Sequence, residues 1–338
     1  MDIDNTLAKL LASRDLTFDE AKGAMEDIVT GKVSDVKLAG WLVALRAKGE
    51  TALEIAGCAS VMREHSQHIK CHDSQAVDIV GTGGSGANTI NISTAAAFVA
   101  AGAGVTVAKH GNHAVSSRSG SADVLSALGV NINLSPEKTE ECLEEVGMAF
   151  LYARLLHPAM KHALNARTGL GIRTIFNILG PLTNPAGVKR YVLGVYNNKL
   201  CRLLADAGLT LGFEHSLIMH GCDGLDELTN TGPTYICEIN KGEILEYNIT
   251  PEELDIELAL PSDLRGGTPE ENAMILKDTL SGKLIGPKRD IVVLSAAAAI
   301  YMADKSDCWE YAIEKAEESI DSGLALKKLK KLIAFTNL

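Results

Sequence analysis

Residues 76–94 read AVDIVGTGGSGANTINIST, and the alanine-rich run AAAFVAAGAG follows at 95–104. A short apolar run ending in a glycine turn and leading into a helix-forming segment is the pattern of a buried strand, a turn and a covering helix. The strand half recurs as VTVA (105–108), YVLGV (191–195) and SLIMH (216–220). Strands alternating with helices predict an α/β architecture with a mostly parallel central sheet and helices on its faces.

Upstream of this stretch the texture changes. Residues 1 to about 70 read as helices only, with Thr17/Glu20 and Thr51/Glu54 spaced as capping boxes and Gly31 and Gly49 where helices should stop. The segment LAGWLVAL (38–45) is apolar on nearly all sides. It is either a buried helix or one that packs on a second subunit. Helical texture returns between Leu155 and Pro185, so that block can pack back on the N-terminal helices. The expected division is a small helical domain, residues 1–72, joined by helices from about 165–190, and a larger α/β domain, residues 73–338.

The 338 residues are 46% hydrophobic and 22% charged, which excludes a disordered or fibrous chain. A net charge of −11 argues against a nucleic-acid backbone or an anionic bilayer as partner. Any anion must therefore be held by local devices. Seven cysteines without a C-x-x-C pair fit reduced thiols better than a disulfide framework. The N-terminus MDIDNTLAKLLASRD lacks the cationic start and apolar run of a secretion signal. The apolar stretch 291–302 is too short to span a bilayer. These features point to a cytoplasmic protein.

Gly81, Gly83 and Gly86 formally spell the dinucleotide fingerprint, but no acidic residue stands about 20 positions on to take a ribose hydroxyl. No Lys follows Gly86, so a Walker A loop fails too. What survives is a backbone able to turn its amides on a bulky anion, with Asn91, Ser93 and Thr94 at the start of the next helix. The second βα junction carries KHGNHAVSSRSGSAD (109–123). Two consecutive junctions of a parallel sheet share one carboxyl edge, which gives two anion sites and favours a ligand with a phosphate at one end and a pyrophosphate at the other. A third cluster, Asp223 to Thr229 (DGLDELT), follows the strand ending at His220. Its adjacent carboxylates suit magnesium.

Seven stretches in order, GTGG at 81, NIST at 91, KHGN at 109, SSRSGSADVL at 116, HPAMK at 157, GIRTIFNILGPLTNP at 171 and GLDEL at 224, resemble the anthranilate phosphoribosyltransferases of tryptophan biosynthesis. The resemblance implies a helical domain hinged to an α/β domain that binds phosphoribosyl pyrophosphate, and a homodimer through the helical domains. It implies the second step of the tryptophan branch: transfer of the 5-phosphoribosyl group from phosphoribosyl pyrophosphate to the amine of anthranilate, with release of pyrophosphate. Matched residue by residue, it implies that Gly81, Gly84, Ser85, Thr89, Asn91, Ile92, Ser93, Thr94, Lys109, His110, Gly111, Asn112, His113, Ala114, Val115, Ser116, Ser117 and Ser121 hold the donor. Gly81, Asn112 and Arg167 would meet anthranilate, with His110 and Pro181 along its path. Ser93, Asp226 and Glu227 would take magnesium, two ions per subunit. Lys109, as a cation for the leaving group, and His110, as a general base by type and position, are the candidate catalytic residues.

The chain departs from the family pattern at Ser85, His113, Arg118 and Thr168, where Asp, Arg, Lys and a second basic residue are common. Three other readings follow: a paralogue taking another aromatic amine, a pyrimidine nucleoside phosphorylase, or a non-catalytic nucleic-acid-binding homologue. The phosphorylase signature S-G-R-G-L-x-x-T-G-G-T is missing, and the net charge with the intact Asp226-Glu227 pair opposes nucleic-acid binding. Residues His65, His68, Cys71 and His72 read as a polar hinge before a zinc site, Cys222 as a buried small hydrophobe, and LKKLKKL (326–332) as a solvated helix face.

Overall fold

The computed structural model of the protein describes residues 3–114 and 118–338. Four helices open the chain: α1 (Ile3–Leu11), α2 (Phe18–Val29), α3 (Asp35–Lys48) and α4 (Ala52–Glu64). Both expected capping boxes form. The Glu20 amide donates to Thr17 Oγ1 and the Thr17 amide to the Glu20 carboxylate, and Thr51 with Glu54 repeats the exchange. Each box satisfies amides that a first helical turn leaves without partners. Gly49 ends α3, and Gly31 follows closely on α2. In the apolar run of α3, Leu38, Trp41, Leu42 and Leu45 are buried, and the Trp41 indole N–H donates to Thr6 Oγ1 at 3.1 Å. Val36 and Val43 of the same helix are exposed.

Among the described residues the strands are β1 (Val77–Gly81), β2 (Val107–Gly111), β3 (Met148–Tyr152), β4 (Arg190–Gly194), β5 (His215–Gly221), β6 (Thr234–Asn240) and β7 (Glu243–Ile249). They form one sheet in the order β3-β2-β1-β4-β5-β6-β7, parallel from β3 to β5 and antiparallel across β6 and β7. The expected VTVA strand ends at 108, but β2 runs on to Gly111, so Lys109 and His110 are strand residues and not loop residues. Flanked by β1 and β3, their backbone is held in the ladder and their side chains are buried.

Helix α5 (Ile92–Gly102) is apolar all round and packs against the helices Pro287–Met302 and Leu324–Thr336. Its alanines let these helices approach closely, and Ile92, Phe98 and Val99 are buried, each worth about 1.5–3 kcal/mol. The helix Lys199–Thr210 packs on β5, β6 and α4. The returning block is a series of short helices: Pro158–Ala163 lies on α2, Leu164–Leu170 on α3 and Phe176–Leu179 on α4. Arg63 of α4 ties the bundle to the α/β part, donating to Leu182 O at 2.7 Å, Leu211 O at 3.3 Å and, in β4, the Tyr191 hydroxyl oxygen at 3.4 Å. The LKKLKKL segment belongs to the helix Leu324–Thr336; Leu329 and Leu332 are buried, and Lys328 donates to Val146 O at 2.7 Å, capping the end of the helix Pro136–Val146.

Candidate active site at the carboxyl ends of the strands

The chain leaves β1 through α5 toward β2 on one side, and leaves β4 through Lys199–Thr210 toward β5 on the other. Such a reversal opens a crevice beyond the carboxyl ends of the two neighbouring strands. Gly81 and Gly194 are the last register pair there. The acidic loop after β5 lies directly over them. The Gly83 amide donates to Asp226 Oδ2 at 2.8 Å. A Cβ on Gly81 would sit 2.5 Å from Asp226 Oδ2, and one on Gly194 would sit 1.7 Å from the Asp226 carbonyl oxygen. Only glycine at both positions allows this approach.

Asp223 braces that loop, a role the sequence did not reveal. Its carboxylate accepts the Leu225 amide at 3.0 Å and the Thr229 and Thr231 hydroxyls at 2.6 and 2.5 Å. Burial raises the Asp226 carboxyl above the ordinary carboxylate range, against the Gly83 amide and the Ser85 hydroxyl. Burial, reinforced by the charge of Asp226, pushes Glu227 up to about 8, against Lys109 and the Ser93 amide. Two confined carboxylates in this state are a site that a cation would relieve.

Lys109 is 2% exposed, and its Nζ donates to Ile79 O at 2.5 Å and Ser93 Oγ at 3.3 Å. Burial pulls its ammonium down from the usual value, and the charges of Asp78 and Glu227 oppose that. Asp78, fully buried in β1, accepts the His110 amide at 3.1 Å and Asn184 Nδ2 at 2.8 Å; the same Nδ2 donates to Ala108 O. Burial pushes the Asp78 carboxyl up to about 7. Asp78 and Asn184 were not anticipated, because a lone Asp in an apolar strand carries no spacing signal.

The His110 ring lies 5.1 Å from that of His157, and burial, with the charge of His157, holds it well below the ordinary histidine value. Its Nε2 is buried without a hydrogen-bond partner among the described residues. Arg167 stands on the helix Leu164–Leu170 with its guanidinium 5.1 Å from the Phe176 ring centroid, and Pro181 is buried nearby in sequence.

Several candidate donor ligands are already engaged within the protein. Asn91 Nδ2 donates to Ser119 O at 3.1 Å, while its Oδ1 accepts Asn272 Nδ2 at 2.8 Å and the Ser119 hydroxyl at 3.1 Å. Ile92 and Thr94 are buried at the start of α5, and Thr89 pairs with Arg265 in an isolated bridge. Asn112 Oδ1 accepts the His113 amide at 2.8 Å, and Ser121 Oγ donates to Asn112 O at 3.2 Å, beside Gly111. The His113 ring meets Asp123 at 2.5 Å, and Asp123 also accepts the Ala114 and Gly120 amides. Val115, Ser116 and Ser117 lie outside the described residues.

His65, at the end of α4, pairs with Glu26 of α2 at 2.8 Å. Cys222 corrects expectation: it is exposed, because it sits in the turn after β5 and not in the core. Among the described residues no group of three or more His, Cys, Asp or Glu side chains converges. The donor set is two carboxylates and the Ser93 hydroxyl, all oxygen and too few to enclose an ion alone. That fits magnesium, which completes its shell with water and phosphate oxygens. Among the described residues no helix is long and apolar enough to cross a membrane.

A helical bundle packed on a mostly parallel α/β sheet, with a glycine loop and an acidic pair at the switch of strand order, is the arrangement that comparison with known proteins places in a glycosyl transferase family. The glycosyl transferase family matches with its a/b domain over residues 73–326 and with its helical bundle domain over residues 5–66. The anthranilate phosphoribosyltransferase of Acetivibrio thermocellus is 50% identical over 99% of this chain and 97% of its own; that of Clostridium kluyveri is 49% identical over 99% and 100%. Among solved structures, the Thermus thermophilus anthranilate phosphoribosyltransferase superposes with a TM-score of 0.94 at 44% identity, covering 98% of this chain and 99% of that one. The Saccharomyces cerevisiae enzyme in complex with PRPP and Mg gives 0.91 at 31% identity over 99% and 98%. The chain belongs to the anthranilate phosphoribosyltransferases, enzymes of the pentosyltransferase class.

Proposed function

We propose that the protein transfers the 5-phosphoribosyl group of phosphoribosyl pyrophosphate to the amine of anthranilate with release of pyrophosphate, dependent on magnesium, as the second step of the tryptophan branch. The observation that carries this reading is the convergence of Gly83, Ser93, Lys109, Asp226 and Glu227 on the crevice between β1 and β4. The S. cerevisiae relative has been crystallised with PRPP and Mg, and separately with 4-fluoroanthranilate.

In this reading the amides of Gly84 and Ser85 and the start of α5 hold the donor phosphates, where the helix dipole favours negative charge. Asn112 and Arg167 orient the acceptor, the guanidinium gripping its carboxylate, with Gly81, His110 and Pro181 along its path. The aromatic amine is neutral at pH 7 and attacks without prior activation. Positive charge grows at the anomeric carbon while negative charge grows on the leaving pyrophosphate. Lys109 offsets that negative charge from a buried position where electrostatics act strongly. His110, with its Nε2 free of a hydrogen-bond partner among the described residues, is the residue assigned by type and position to take the proton the amine sheds, against the burial that disfavours its charged form. Magnesium, two ions held by Ser93, Asp226 and Glu227, would neutralise phosphate charge when bound. Holding two reactants in line supplies on the order of 7 kcal/mol or more.

The reading extends to organisation. Residues 1–72, with the helices from about 165–190, form one domain; residues 73–338 form the donor-binding domain; two copies pair through the helical domains; and the enzyme works in the cytoplasm. With magnesium and phosphoribosyl pyrophosphate the purified protein should consume anthranilate, followed as loss of its fluorescence. No loss, together with turnover of another aromatic amine, would assign the chain to a paralogous activity. Salt-sensitive DNA binding without turnover would overturn the enzymatic reading.

A further inference from the structure

Arg173 stands outside the set of proposed substrate ligands, yet it makes a short contact to the glycine loop. Its Nη2 donates to the Gly84 carbonyl at 2.6 Å, and its guanidinium carbon lies 4.0 Å from the Tyr196 ring centroid. Gly84 has φ +86°, and a Cβ there would sit 2.2 Å from Arg173 Nη2, so the loop is shaped around this guanidinium. Tyr196 is itself tied to the loop, its amide donating to Thr82 Oγ1 at 3.1 Å, while the Thr82 amide donates to Gly194 O. Arg173 lies six residues beyond Arg167, in the returning segment that packs on the helical bundle.

We infer that Arg173, stacked on Tyr196, is a positioning residue that couples the acceptor-side segment to the donor loop, turning the Gly84 carbonyl away from the ligand so that the neighbouring amides face it. This rests on the proposed donor and acceptor. A peptide plane has one carbonyl and one amide pointing oppositely, so fixing the carbonyl fixes the direction of the Ser85 amide. Because Arg173 and Arg167 share one short segment, the contact ties the segment that carries Arg167 to the glycine loop. The guanidinium suits the task, since a planar fork can stack and donate at once and an ammonium cannot.

The test compares Arg173→Met, Arg173→Lys, Tyr196→Leu and the Arg173→Met/Tyr196→Leu double variant with wild type. Arg173→Met should raise the KM for phosphoribosyl pyrophosphate about tenfold with a smaller change in kcat, the mark of lost binding. Arg173→Lys should not rescue it, and the double variant should be no worse than Arg173→Met, because the two side chains act as one unit. Hydrogen exchange of the peptide spanning residues 82–86 should quicken about tenfold in Arg173→Met and in Tyr196→Leu. Unchanged exchange and KM, or full rescue by lysine, would overturn the inference. If wild type fails to turn over anthranilate, the proposed function fails while exchange still decides the clasp; if Arg173→Met does not fold, Tyr196→Leu gives the same reading.

Discussion

The Asp226 carbonyl lies so close over Gly194 that a methyl group on that glycine would stand 1.7 Å from the oxygen. Since Gly194 ends β4 and pairs with Gly81 of β1, the smallest side chains of the sheet mark where the acidic loop rests. Gly194→Ala should therefore displace Asp226 by about an ångström while leaving the sheet intact, and a misplacement of that size can cost on the order of 100-fold in rate. Circular dichroism would remain native while kcat/KM collapses. Activity near wild type would show that the loop's position over β4 is not what catalysis needs.

The acidic pair should separate activity from stability. Asp226→Asn with Glu227→Gln should abolish turnover without unfolding the protein. Glu227 in the fold holds its proton up to about pH 8, against an ordinary value of 4.5. The native state thus binds that proton more tightly than the unfolded chain, so its contribution is fully present below about pH 4.5 and is lost as pH rises to about 8. Urea unfolding between about pH 5 and 8 should show stability declining with pH, and Glu227→Gln should lessen that slope. An identical slope in the variant would place the coupled proton elsewhere.

The features behind these two predictions differ in how far the sequence shows them. The strand-turn-helix pattern of 76–104 foretold the parallel half of the sheet, and the two capping boxes foretold α2 and α4, because each is a local rule written within a few residues. β3 (MAFLY) follows its helix with no intervening polar turn, and β7 (EILEYNI) carries charges on an exposed edge, so neither resembles a bounded apolar strand. In the site, Gly81, Lys109 and the Asp226-Glu227 pair were visible as clusters at strand ends. Asn184 reaches Asp78 across 106 residues of chain, and Arg173 reaches Gly84 across 89. Such partners exist only once the sheet has formed, while Asp223 braces its loop from within. Asn91, which the resemblance places at the donor, has its side-chain amide engaged with Ser119 and Asn272.

Lys109 and Asp78 are buried opposite charges on adjacent strands. Lys109 bonds Ile79 O and Ser93 while Asp78 bonds the His110 amide and Asn184, so the two act on each other through charge at longer range, and losing one costs about 0.5–3 kcal/mol. Lys109→Met should lower stability by that order and eliminate turnover. Lys109→Met with Asp78→Leu should be less destabilised than the sum of the single variants, since the stranded carboxylate is gone. Strict additivity in urea melts would show that the two charges do not interact.

The helical bundle offers the remaining test. Val36 is 84% exposed and Val43 42% on α3, and the neighbouring elements add Leu11 at 73% and Leu164 at 60%. Large aliphatic side chains left in water on packed helices cost burial energy that a second copy would recover, at about 25 cal/mol for each Å² covered. The sequence of α3 had left open a buried helix or a subunit contact. The helix has one side in the core and apolar residues on the outside, which is what a helix serving both purposes requires. Val36→Glu with Val43→Glu should leave the bundle folded, since neither side chain is in the core, and should convert a dimer to a monomer by light scattering after size exclusion. A wild-type protein that already runs as a monomer, or a variant that stays dimeric, would remove α3 from the interface.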